Sequence, residues 1–121
     1  MPLSQDVIAS LAEHLETAEL ERREVVKITD AHPDMDWDDA YAVQDAIRAR
    51  KVGRGVVIAG YKAGLTSHAK MKQMGVTDPM FGFLTDYGMI PEGGEIDTAT
   101  LIHPKVEAEI AFVLKQGLKG P

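Results

Sequence analysis

The sequence has 121 residues, 45% of them hydrophobic and 26% charged, with 19 Asp plus Glu against 13 Lys plus Arg for a formal net charge of -6. That length suits one domain with a modest core, and the acidic balance repels phosphate backbones, which argues against nucleic acid as a partner. Cysteine is absent, which rules out disulfides and thiolate chemistry, and no apolar run approaches the roughly 20 residues that span a bilayer.

The opening Met1-Pro2-Leu3-Ser4-Gln5-Asp6 has neither a basic nor an apolar signal region, so a cytoplasmic protein without membrane contact is expected. Ser4 is a suitable N-cap, with Asp6 in the first turn. Val7, Ile8, Leu11, Leu15 and Ala18 recur at helical spacing, predicting an amphipathic helix from residue 5 to about residue 23. Its opposite face, with Glu13, Glu16, Glu21 and Arg22, is expected to be solvated. Thr29 to Asp34 reads as a turn. Asp36 then caps a second helix, with Trp37, Ala40, Tyr41, Val43 and Ile47 as the expected buried stripe. It should fade near Lys51, because Gly53 and Gly55 follow.

The period then changes. Val56 to Tyr61 reads as a short strand rich in β-branched residues. Thr66 or Ser67 caps a short helix ending near Gly75, and Phe81 to Leu84 is a second apolar run. Pro91 to Gly94 is a turn, and Val106 to Leu114 carries the clearest strand signal. Helices first and strands after predict an α+β fold: a helical region over residues 1–55, then the start of a β-rich domain over residues 56–121. A strand this strong with so few partners leaves an edge open, so the natural chain is expected to continue. Met71, Met74, Met80 and Met89 are expected to fill gaps in a core.

Val106-Glu107-Ala108-Glu109-Ile110 is the most suggestive constellation. On a strand, residues two apart share a face, about 6–7 Å from one another. Glu107 and Glu109 would converge on a hard divalent cation such as magnesium, or form the solvated face of an ordinary amphipathic strand. Lys62 lies in Gly60-Tyr61-Lys62-Ala63-Gly64, where the glycines leave room for a ligand to approach. It would bind a carboxylate or move a proton, or be a surface lysine beside a turn. His103 precedes the glutamate pair and either lines the site or belongs to a loop. His14 and His32 look solvated, His68 falls in the short helix, and no pair has zinc-ligand spacing. Asp86 either supports the site or ends a strand.

Two blocks carry a family resemblance: Gly60 to Ser67 with Met71, Gly75-Val76, Phe81-Gly82 and Asp86, and His103-Pro104-Lys105-Val106-Glu107-Ala108-Glu109-Ile110-Ala111-Phe112-Val113. The chain resembles the 2-hydroxypenta-2,4-dienoate hydratase and 4-oxalocrotonate decarboxylase family, within the fumarylacetoacetate hydrolase superfamily. The resemblance implies a metal-dependent lyase. Glu107 and Glu109 correspond to ligands of Mg2+ (Mn2+ being possible), Lys62 to the catalytic lysine, and Leu65, Ser67 and His103 to substrate-binding positions. It also implies a third ligand carboxylate further along than Pro121. The implied substrate is a small 2-oxo dicarboxylic acid, and the implied partners are further copies of the chain or a companion hydratase.

Within the family, hydratases resemble one another in carrying an acidic residue between Pro and the aromatic of a Pro-x-aromatic-Gly stretch. Here that stretch is Pro79-Met80-Phe81-Gly82, and a thioether cannot handle the proton that water addition requires. The decarboxylase is therefore the expected branch. The hydratase, or a noncatalytic interaction module that keeps the family's fold, is the alternative.

Overall fold

The computed structural model describes residues 2–120. Helix α1 (Gln5–Leu20) starts where Ser4 Oγ accepts the Val7 N–H at 3.3 Å, satisfying one of the first turn's orphan donors. Arg22, in the left-handed region at φ 55°, turns the chain just past its end. This happens about one turn earlier than the apolar spacing implies. A four-residue helix, α2 (Ile28–Ala31), occupies part of the expected turn. Helix α3 (Trp37–Gly53) opens with a capping box. Asp36 Oδ1 accepts the Asp39 N–H at 2.9 Å, and Asp39 Oδ2 accepts the Asp36 N–H at 3.4 Å. Asp39 also accepts the Leu3 N–H at 2.8 Å, tying the start of the chain to α3.

Helices α1 and α3 pack around Ile8, Ala12 and Val43, with Leu11, Leu15, Ala42 and Ile47 against them. Ala12 is fully buried, and its small side chain lets the helices approach closely. Burying an Ile or Val side chain stabilises by about 1.5–3 kcal/mol. The stripe on α3 differs from the expected one. Val43 lies inside, but Trp37 is 53% exposed and Ala40 is exposed. The face turned to α1 instead repeats every four residues through Asp39, Val43, Ile47 and Lys51, two of them charged. On α1, Glu13 and Glu21 are exposed as expected. Glu16 is not, with 1% of its surface accessible. Arg50 Nε lies 2.7 Å from Glu16 Oε2, and Arg54 Nη1 lies 2.7 Å from Glu16 Oε1, though off the line of a hydrogen bond.

Strands β1 (Ile58–Gly64) and β2 (Met80–Thr85) form an antiparallel ribbon, which with the helices makes the fold α+β. Between the Ile58–Thr85 and Gly60–Leu84 pairs β1 advances two residues and β2 one, a bulge-like irregularity. From Gly60 to Gly64 the pairing is regular, with Lys62 opposite Gly82. Helix α4 (His68–Met74) crosses between the strands. Ser67 caps its start by accepting the Lys70 N–H at 3.2 Å, and Gly75 closes it at φ 70°, a value natural to glycine. The outer edge of β2 lies along α3, where Tyr41 Oη accepts the Phe81 N–H at 3.2 Å.

The largest departure is at Val106 to Leu114, which forms no strand and leaves Val106 and Val113 each 99% exposed. Strand character is realised only by pairing. Among the described residues the sheet has just two strands, β1 and β2. Of the methionines, Met71 is buried, while Met74 and Met89 are exposed and Met80 is 39% exposed. Two short 3-10 turns, Asp86–Gly88 and Thr98–Thr100, complete the described elements. No helix among the described residues is long and apolar enough to cross a membrane.

Candidate functional site

Lys62 sits mid-strand in β1, where regular pairing with β2 fixes its backbone. Its ammonium donates to Glu109 Oε1 at 2.8 Å and lies 3.8 Å from Glu107 Oε2. The ribbon and the segment after residue 105 thus bring Lys62 to two glutamates that lie more than forty positions further along the chain. The hydrogen bond to Glu109, with the charges of both glutamates, holds the Lys62 ammonium above the usual lysine value. Lys62 is therefore cationic at neutral pH, a donor and a positive charge rather than a free base. Two carboxylates facing one ammonium carry a net negative charge, which suits a further cation. Among the described residues no third His, Asp or Glu joins them closely enough to make a three-ligand cluster.

The other residues singled out in the sequence are placed differently. Leu65 follows directly after β1 at φ 54° and is half-buried. A left-handed leucine is held against a steric cost of about 1–3 kcal/mol. Ser67 spends an acceptor site on capping α4, leaving its O–H proton free. His103, at φ 47°, has Nε2 2.6 Å from Glu24 Oε1, so its partner is a residue of the helical region rather than the glutamate pair. Asp86 clamps the end of the ribbon. Its N–H donates to Val57 O at 2.9 Å, and its Oδ1 accepts the Val57 N–H at 3.2 Å.

One polar cluster has no counterpart in the sequence reading. Lys51 is 3% exposed and donates to Glu19 Oε2 and Tyr87 Oη, each at 2.8 Å, while Tyr87 Oη donates to Glu19 Oε1 at 2.9 Å. Burial lowers the Lys51 ammonium, but the bonds to Glu19 and Tyr87 outweigh it, and the group ends above its usual value. The cluster joins α1, α3 and the turn after β2. A signal for it existed: Lys51 continues the four-residue spacing of Asp39, Val43 and Ile47, and a charge on a buried stripe requires a partner.

No family model matches the chain. The 4-oxalocrotonate decarboxylase of Pseudomonas sp. (strain CF600) is 55% identical over 119 residues, covering 98% of this chain and 45% of the relative. The 2-oxo-hept-4-ene-1,7-dioate hydratase of Escherichia coli is 36% identical over 111 residues, covering 92% of this chain and 42% of the relative. Among solved structures, the 4-oxalocrotonate decarboxylase from Pseudomonas putida G7, complexed with magnesium and adipate, superposes with a TM-score of 0.81 at 50% identity. That match covers 84% of this chain and 38% of the other. The chain spans about half the length of the curated relatives it matches. With more than half of its residues shared along nearly its whole length, and the same fold over the region compared, the chain belongs to the 4-oxalocrotonate decarboxylase and 2-hydroxypenta-2,4-dienoate hydratase family.

Proposed function

We propose that the chain is part of a magnesium-dependent 4-oxalocrotonate decarboxylase, a carbon–carbon lyase acting on 2-oxo-3-hexenedioate in the breakdown of aromatic compounds. The observation that carries the reading is the approach of Glu109 and Glu107 to one cationic centre, the Lys62 ammonium, at 2.8 and 3.8 Å. Carboxylates set to share one cation are suited to share a metal ion, and Glu107 and Glu109 would hold Mg2+, or Mn2+, with further ligands from outside the described residues. When bound, the ion supplies Lewis-acid polarisation of the substrate's 2-oxo group.

The chain's own residues have distinct tasks. Lys62, kept protonated by Glu109, donates a hydrogen bond to the oxygen on which negative charge grows as carbon dioxide leaves. The C5–carboxylate bond breaks, carbon dioxide leaves, and the electron pair passes through C3=C4 to that oxygen as a dienolate, which takes a proton from solvent to give the 2-hydroxydienoate. Leu65 and Ser67, at the end of β1, would line the substrate's path, with His103 on the segment that delivers the glutamates. Met80, paired with Gly64 at the end of the ribbon, offers no proton-handling group, which favours decarboxylation over water addition. Relatedness leans the same way, since decarboxylases reach 55% identity to this chain and hydratases 42%. A reducing cytoplasm suits a chain without cysteine. Association with further copies or with a companion hydratase would cover the apolar side chains of Val106, Ile110 and Phe112, each at least 85% exposed.

The test uses a protein carrying this segment at the full length of the relatives, supplied with magnesium and 2-oxo-3-hexenedioate. Release of carbon dioxide, abolished by a chelator and restored by magnesium, is expected. Substrate consumption with water uptake and no carbon dioxide would replace the decarboxylase by the hydratase.

A further inference from the structure

From Leu101 to Gly120 the chain forms neither helix nor strand, and every residue in it is exposed. Packing therefore does not place this segment, although it carries Glu107 and Glu109. Among the described residues, two side-chain contacts tie it to earlier elements. One joins the Lys62 ammonium to the two glutamates. The other lies upstream of them, where His103 Nε2 stands 2.6 Å from Glu24 Oε1. A carboxylate has no proton to give, so the ring nitrogen is the donor. Beside this bond, Arg22 Nη1 reaches Ala99 O at 3.5 Å. Arg23 Nε is taken by Glu21 at 3.2 Å, which leaves the Glu24 carboxylate to His103. Arg22 and His103 both have left-handed backbone, at φ 55° and 47°. Residues with a side chain keep that conformation where their surroundings hold it, and here the two lie on either side of one contact.

We infer that Glu24 is a positioning residue: it fastens His103 to the turn after α1 and so sets where Glu107 and Glu109 stand for a divalent cation. The inference rests on the metal-ligand reading of the two glutamates given above and adds to it a residue outside the site. The two tethers differ in what they cost the metal. The Lys62 ammonium occupies the same carboxylate oxygens that a cation needs, so its hold on the segment weakens as the cation enters. The Glu24 tether acts on the chain at His103 and leaves those oxygens free. From His103 to Glu107 the chain reaches no more than about 14 Å even when extended, so an anchor at His103 limits how far the glutamates stray. Glu24 and His103 are 72% and 75% exposed, and an exposed pair adds little to global stability. Its loss is therefore read in metal affinity and not in melting.

The experiment uses the full-length protein carrying this segment, with magnesium alone as the probe and its binding measured by calorimetry. Glu24→Leu is expected to weaken magnesium roughly two- to fivefold, the range an exposed pair gives, with the thermal midpoint in chelator unchanged. Glu24→Gln keeps an oxygen that accepts the Nε2–H and should restore affinity to near the wild-type value. Added to His103→Phe, Glu24→Leu should cost little more, because both remove the same contact. Amide exchange over residues 101–105, read without metal, should quicken in Glu24→Leu and not in Glu24→Gln. Unchanged magnesium affinity in Glu24→Leu, or losses from Glu24→Leu and His103→Phe that add in full, would overturn the positioning role. Because binding is read without turnover, a protein whose magnesium affinity depends on Glu24 yet releases no carbon dioxide would sink the decarboxylase reading and leave the positioning role standing. Undiminished magnesium binding by Glu107→Gln would sink the metal-ligand reading instead, and the exchange over residues 101–105 would still report the anchor.

Discussion

Lys62 is held by two carboxylates, and the consequences separate chemistry from stability. If Lys62 serves the reacting oxygen as proposed, Lys62→Ala in the full-length protein should lower turnover roughly 100-fold or more. The side chain is 44% exposed, so stability should change by no more than about 0.5 kcal/mol, as read from a denaturation midpoint. Unchanged turnover would reduce Lys62 to a surface lysine. Glu16 shows the opposite balance. Burial pushes its carboxyl up, but the hydrogen bond from Arg50 and the close positive charges of Arg50 and Arg54 more than offset this, and the group lies below its usual value of 4.5. With the folded value depressed, the stabilisation is complete above about pH 4.5 and is lost as pH falls through the lower folded value. Glu16→Gln should therefore cost about 1–3 kcal/mol at pH 7, less than for a fully buried pair because both arginines reach solvent. The penalty should shrink on acidification. Equal penalties at pH 7 and pH 3 would mean that packing, not charge, is lost.

Among the elements, the ribbon and the turn after it are tied to the helices by side-chain hydrogen bonds. Tyr41 holds the β2 edge, and Lys51 with Glu19 and Tyr87 holds the turn that follows. Lys51→Met keeps the length of the side chain and removes its three donors. It should leave the helical circular dichroism of α1 and α3 intact while speeding amide exchange in β1 and β2. Exchange that accelerates equally in the helices would show that the cluster supports the whole fold instead. Because the folded Lys51 value is raised, its stabilisation is present below the usual 10.5 and is lost as pH climbs through the higher folded value. Exchange also distinguishes Val106 to Leu114. Its amides should be unprotected in this chain and become protected in a protein of the relatives' full length, where strands can pair with it.

For the whole molecule, metal affinity and activity belong together. Two carboxylates leave most of a magnesium ion's six positions to water, and no third protein ligand stands with them among the described residues. The 121-residue chain is expected to bind magnesium in the millimolar range or weaker and to show no decarboxylase or hydratase turnover. Ultraviolet absorbance of the conjugated acid follows the reaction, and a full-length protein serves as the comparison. Comparable turnover by the short chain would mean that Glu107, Glu109 and Lys62 suffice.

By itself the sequence determined what depends on local chemistry. Ser4, Asp36 and Ser67 set the helix starts through side-chain oxygens within three residues of the N–H groups they cap. Gly75 set a helix end through its left-handed backbone, and periodicity separated the helical region from the ribbon. The family blocks around Lys62 and Glu107 were likewise legible, as residue types in order. Only the tertiary structure decided which polar groups lie inside. Glu16 and Lys51 look like solvated charges in a helical pattern, and they are buried because cations on α3 meet one and a carboxylate and a phenol meet the other. The exposure of Trp37 follows from the same cause, since the angle at which α3 meets α1 chooses the stripe. Val106 to Leu114 has every local mark of a strand, yet pairing is a long-range event that local preference cannot supply. The meeting of Lys62 with Glu107 and Glu109 is likewise long-range, set by how the ribbon and the later segment lie together.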